Sequence, residues 1–256
     1  MSRMRSARVL IAAALLAVLP AIWFSTRETC ATEYDLTAYL ADAGKVARVV
    51  GCADPAFAER LVASPLAARL GLDDRFSPPE AWRDAVRALV DGRSRDNDAA
   101  EGFAIMLVLD AIGTPMEPPA VGAPFTDLHS SAITLRASGQ AELARFISRI
   151  DEGNVAFEMK GLPVPLRGKL EHSDYPVRVS VFSPGDAAAF ADVLERWDGV
   201  PDDAVDRVMA HEAEYWDAES GLEMVESLTY DKDALVGWLR AAAADGRSLF
   251  LFYETF

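Results

Sequence analysis

Carboxylates set in apolar runs are the residues of this sequence with the most chemistry to offer. Asp110 lies inside IMLVLDAIG, Glu226 would share a strand face with Leu222, Met224, Leu228 and Tyr230 in LEMVESLTY, and Glu254 follows the apolar SLFLFY. A carboxylate drawn out of water must be paired or protonated, because desolvation disfavours its charged form. Two of them meeting in a cleft would make an acid–base pair fit for hydrolysis. The plainer expectation is that each accepts from backbone N–H groups or an arginine, with Arg178 and Arg247 as natural partners, or sits at a rim.

The three histidines offer less. His172 and Asp174 sit together in EHSDYP, where an imidazole beside a carboxylate can act as a general base; the plainer reading is a solvated loop. His129 stands beside two serines in DLHSS, but no G-x-S-x-G elbow is present to expose a nucleophile. His211 opens HEAEY, which resembles half of H-E-x-x-H; Tyr215 occupies the place of the second imidazole, so a surface helix is expected. No Cys/His metal spacing, P-loop or strand-borne G-x-G-x-x-G occurs, and the sequence implies no cofactor and no metal.

The elements that must position these residues are legible from period and punctuation. EYDLTAYLADAGKVARVVG starts extended and becomes a helix stopped by Gly51. DPAFAERLVASPLAARLG reads as a helix capped by Asp54, with Pro55 at its first position. In SPPEAWRDAVRALVDG, Trp82, Ala85, Val86 and Leu89 share one helical face, Ser77 is the expected cap and Gly92 the stop. DAAEGFAIMLVLDAIG is apolar all round and predicts a central helix ending at Gly113. The proline-rich TPMEPPAVGAPFTD reads as a surface connection.

The second half mixes strands and helices. GQAELARFISRI is helical, and NVAFEMK and YPVRVSVF read as strands. Ser183 and Pro184 open a helix that buries Phe190, Val193, Leu194 and Trp197, and PDDAVDRVMAHEAEYWD gives the next. LEMVESLTY is expected as a strand, followed by a helix with Leu235, Trp238, Leu239 and Ala242 on one face. The final SLFLFYETF places Leu249, Leu251 and Tyr253 on one side and Phe250 and Phe252 on the other. A strand apolar on both faces is covered on both faces, so it belongs inside a sheet. The fold class is α+β: a helical first half, then a small mixed sheet built mainly by the second half and packed by helices.

Charge bounds the partners. The chain has 256 residues, with 25 Lys and Arg against 40 Asp and Glu, a net of −15. That argues against nucleic acid, which asks for a basic face, and suits a basic protein partner. The first 31 residues are of another kind: Arg3, Arg5 and Arg8, then sixteen uncharged residues from Val9 to Phe24. This is the layout of a secretory signal cut near Ala31, or of an inner-membrane anchor over residues 9–24. The protein is then exported to the periplasm or tethered at the membrane, and touches a membrane only through this segment; a misplaced start codon would leave it cytoplasmic. Without residues 1–31 the charges are 21 basic and 39 acidic, or −18. Cys30 and Cys52 can pair only if both are retained, and Cys52 reads as a small helix-end residue. A single domain over residues 32–256 is expected.

Three stretches together resemble the YfbM-like family of uncharacterised bacterial proteins: LDDRFSPPEAWRDAVRALVDG, YPVRVSVFSPGDAAAFADVLERW and YWDAESGLEMVESLTYDKDALVGWLRAAAADGRSLFLFY. Arg83 stands where that family commonly has a histidine after the tryptophan. The resemblance implies a compact α+β fold, no established activity and no catalytic residue. The expectation for function is a non-catalytic, immunity-like or regulatory module at the cell envelope. Its partner would meet acids in DGVPDD (Asp198, Asp202, Asp203) and DAESGLEMVE (Asp217, Glu219, Glu223). The alternatives are a small hydrolase using clustered carboxylates and an anchored structural protein of the envelope.

Overall fold

The structure, a computed structural model, describes residues 34–93, 99–116, 128–151, 177–210 and 218–255. All lie in one compact unit, Glu33–Phe256. The fold is α+β and mostly helical. Four strands, β1 (Tyr34–Ala41), β2 (Thr114–Pro115), β3 (Val177–Phe182) and β4 (Ser248–Thr255), form a sheet in the order β2-β1-β4-β3. Every pairing is antiparallel, so the sheet is not mixed, and each half of the chain supplies two strands. The proline-rich connection gives up its first two residues to β2, at the sheet edge where proline's missing donor does least harm.

β4 lies between β1 and β3, with Phe250 opposite Tyr39 and Val181, and Leu251 opposite Ala38 and Ser180. Its alternation separates two cores. Leu249, Leu251 and Tyr253 face α7 (Leu128–Ala137), α8 (Ala141–Asp151), α9 (Pro184–Glu195) and α11 (Ala218–Asp245). Phe250 and Phe252 face the helices of the first half: α1 (Ala43–Val49), α2 (Pro55–Val62), α3 (Pro65–Arg69), α4 (Leu72–Arg75), α5 (Glu80–Val90) and α6 (Ala99–Ile112). α6 is buried from Ala100 to Leu109, which is why it has no polar stripe. Gly113 ends it where a Cβ would stand 2.7 Å from the Leu109 carbonyl oxygen, too close for any other residue.

The caps follow local chemistry. Asp54 accepts from the N–H groups of Ala56 and Phe57, and Ser183 from that of Asp186. Two expectations need correcting. Pro65 breaks the stretch after Asp54 into α2 and α3, with Ser64 capping the second piece. Ser77 caps nothing: Pro79 takes the cap position of α5 and makes no side-chain bond. The face of α5 is as read, and the Trp82 indole N–H donates to Asp73 at 2.9 Å, with Arg83 on the same carboxylate.

The largest correction concerns residues 222–230. They are not a strand but part of the first half of α11, a helix of 28 residues. Its buried residues Ala218, Val225, Leu228, Leu235, Leu239 and Ala242 recur at helical spacing, which continues straight through the apparent two-residue alternation.

Salt bridges knit the second-half layer together. Arg240 on α11 holds Asp192 (2.7 Å) and Glu195 (2.5 Å) on α9, and its bonds hold the Glu195 carboxyl below the usual range. Burial pulls the Asp186 carboxyl up, but the Arg149 charge and bonds from Ser183 and Arg149 outweigh it, so it too stays low. Arg149 also donates to the Val181 carbonyl and lies 4.5 Å over the Phe182 ring.

Candidate partner-binding site

The carboxylates read as a possible catalytic pair are not brought together. Asp110 is half-buried near the end of α6, in the layer against Phe250 and Phe252. Glu226 is exposed on α11, in the layer on the opposite face of the sheet, so its expected place on an apolar strand face is lost with the strand. Arg247 pairs with Asp245 at 2.5 Å and donates to the Thr114 hydroxyl at 2.9 Å. His129 is exposed on α7, and Cys52 is exposed just past α1. Residues 1–31, the NVAFEMK strand, His172, Asp174, His211, Tyr215, Asp217 and the side chains of Arg178 and Glu254 lie outside the described residues. Among the described residues no group of three or more His, Cys, Asp or Glu could hold a metal, and no helix is long and apolar enough to cross a membrane.

The two acidic runs are brought together. α10 (Asp202–Met209) buries Val208 against Ala218 at the start of α11, and Val200, Leu222, Ile133 and Ala137 pack around the pair. Asp198, Asp202 and Asp203 flank Val200, and Glu219 and Glu223 flank Leu222, so one small apolar cluster seats acids from both runs at the surface. All five are exposed. Asp202 and Asp203 sit in the first turn of α10, where the helix dipole favours negative charge. Asp203 has Arg207 at 3.9 Å one turn on.

Beside this surface is a cleft of about 570 Å³ between the α7–α8 turn and the α9–α10 loop. Gly139, Gln140, Glu142, Arg196, Trp197, Asp198 and Gly199 are among its lining. Both turns pass through a glycine with positive φ, 89° at Gly139 and 101° at Gly199, and the Gln140 side-chain amide ties them by donating to the Gly199 carbonyl at 3.0 Å. The Lys232 ammonium donates to the carbonyls of Trp197 (2.5 Å) and Glu195 (3.2 Å), a cation placed at the C-terminal end of α9. Lys232 interrupts the apolar stripe of α11, and this bond set is why it is tolerated there. Lys232→Met keeps the stem and removes the donors; it should cost about 1–3 kcal/mol by urea denaturation, because the carbonyls it satisfies are left in a partly buried site.

A family model covers residues 33–254, nearly the whole compact unit. The chain belongs to the DUF7691 family, a domain of unknown function. Membership in this uncharacterised family is what the match supports; it gives no support to the YfbM-like resemblance. No curated protein and no solved structure matches the chain. The site of this DUF7691 domain therefore stands on its own geometry. Sequence reasoning named the acids but missed Gln140, Glu142, Arg196 and Trp197. Glycines in both turns were the available signal, and nothing in the spacing tied the two turns to each other.

Proposed function

We propose that this DUF7691 domain is a non-catalytic binding module for a basic protein, immunity-like or regulatory, working at the cell envelope. The observation that carries the reading is the convergence of Asp198, Asp202 and Asp203 with Glu219 and Glu223 around one apolar cluster, all exposed, in a chain of net charge −15. Charge of this kind speeds encounter and orients the partner, while apolar contact holds it. Met209, an exposed large apolar side chain on α10, is placed to supply such contact. The envelope part of the reading rests on the charged and then apolar leader in residues 1–24.

Binding to a partner captured from an envelope fraction should weaken about tenfold or more when salt rises from roughly 50 to 300 mM, because exposed charges are screened over the Debye length. Asp202→Lys combined with Glu223→Lys should lower the association rate about tenfold while costing only about 1 kcal/mol of stability, from the cation placed at the start of α10. Affinity that ignores salt and these reversals would sink the electrostatic mechanism.

A further inference from the structure

The described methionines differ in what water and oxidants can reach. Met106 is 1 % exposed inside α6, and Met116 and Met224 are half-buried. Met209 is 47 % exposed, the one exposed large apolar side chain among the described residues. Its backbone is held in place. Val208 beside it is fully buried against Ala218, and the Ala210 N–H donates to the Asp206 carbonyl, closing the last turn of α10. The thioether therefore stands out from a fixed helix end. Asp202 and Asp206 lie seven and three residues before it, which puts both acids on its side of the helix.

An exposed thioether beside exposed acids combines two unlike functions. Charge acts over a Debye length and sets how often a partner arrives. Apolar contact acts only when the surfaces touch and sets how long the partner stays. Of the two, only the thioether is changed by mild oxidation. Its sulfur lone pair takes one oxygen from hydrogen peroxide; the O–O bond breaks, the sulfur is oxidised to the sulfoxide, and the other oxygen leaves as water with both protons. The product is polar and must be desolvated before a surface can close over it. Return to the thioether takes two electrons from a pair of thiols, which become a disulfide while the oxygen leaves as water.

Resting on the reading of the domain as a binding module, we infer that Met209 is a redox site of the docking surface: a hydroperoxide converts it to the sulfoxide, and the sulfoxide shortens the lifetime of the complex without slowing its formation. The acids of both runs keep their charge and go on steering the partner. The fold is not part of the switch, because the Met209 side chain belongs to none of the three buried clusters.

The test treats the full-length chain with hydrogen peroxide and reads each methionine by peptide mass spectrometry. Met209 should oxidise about tenfold faster than Met106, and ahead of Met116 and Met224. The melting temperature should move by less than about 2 °C when Met209 alone is oxidised. The partner captured from an envelope fraction should then leave the oxidised chain about fivefold faster, at an unchanged association rate. Met209→Leu keeps an apolar side chain without the sulfur, so peroxide should not change that variant's dissociation rate. This separates Met209 from Cys52, an exposed thiol that peroxide also reaches. Oxidation of Met209 no faster than that of Met106 would overturn the site, as would a melting temperature that falls with it. An unchanged dissociation rate, a slowed association, or the same loss in Met209→Leu would overturn the switch and leave the acidic module standing. A partner whose binding ignores salt, or no partner captured at all, would overturn the module and the switch with it.

Discussion

Phe252→Ala should destabilise the domain by about 3–5 kcal/mol, read as a lower denaturation midpoint at unchanged slope. Phe252 is at the middle of β4, with Thr37 of β1 on one side and Val179 of β3 on the other. Its side chain is fully buried and meets the Tyr39 ring edge-on, with centroids 5.9 Å apart. Truncation removes an aromatic ring from the core shared with α1 to α6 and leaves a cavity there. The surrounding strand is paired on both edges and cannot collapse into the space, so the upper part of the range is expected. Met209→Ala is the control. Met209 is 47 % exposed, and its loss should stay within about 0.5 kcal/mol. Equal effects from the two substitutions would mean that β4 is not the interior strand of this sheet.

That strand is also where sequence and structure agree best, and the reason is physical. Two-sided apolar alternation can be satisfied only by a strand covered on both faces, so SLFLFY specifies its environment without reference to any partner. The same holds for the face of α5 and for the Asp54 and Ser183 caps, each settled within about one helical turn. What could not be read is pairing across distance. β1 and β4 are the first and last strands of the described chain, and no local pattern says that Tyr39 will meet Phe250. The candidate site has the same division. The acids of 198–203 and 219–223 are visible as runs, yet their convergence depends on Val200 and Leu222 packing on one cluster. The cleft depends on a bond from Gln140 to a residue 59 positions away. Glu226 misled for a related reason: it interrupts an apolar run, but an acid in a helical run can turn outward by one step of about 100°, which a two-residue period hides.

Glu226→Pro should cost about 3 kcal/mol or more, with a matching loss of helical circular dichroism, whereas Glu226→Ala should change stability by less than about 0.5 kcal/mol. The contrast isolates the backbone. The Glu226 side chain is exposed and on no apolar face, so its removal alone disturbs little. Proline at this position removes the donor that bonds to the carbonyl four residues earlier and crowds that carbonyl with its ring. The break would fall between Val225 and Leu228, both buried, in the first half of a 28-residue helix that carries Lys232 to the Trp197 carbonyl and Trp238 into the core. In a strand, the reading that the alternation of LEMVESLTY first suggests, proline would be tolerated wherever its missing N–H faced solvent at a sheet edge. A small loss for Glu226→Pro would therefore restore the strand and detach the acids of 219–223 from the α10 surface. A large one confirms that a single continuous helix presents them there, since the helical phase fixed by Leu235, Trp238 and Leu239 also sets which way Glu219 and Glu223 face.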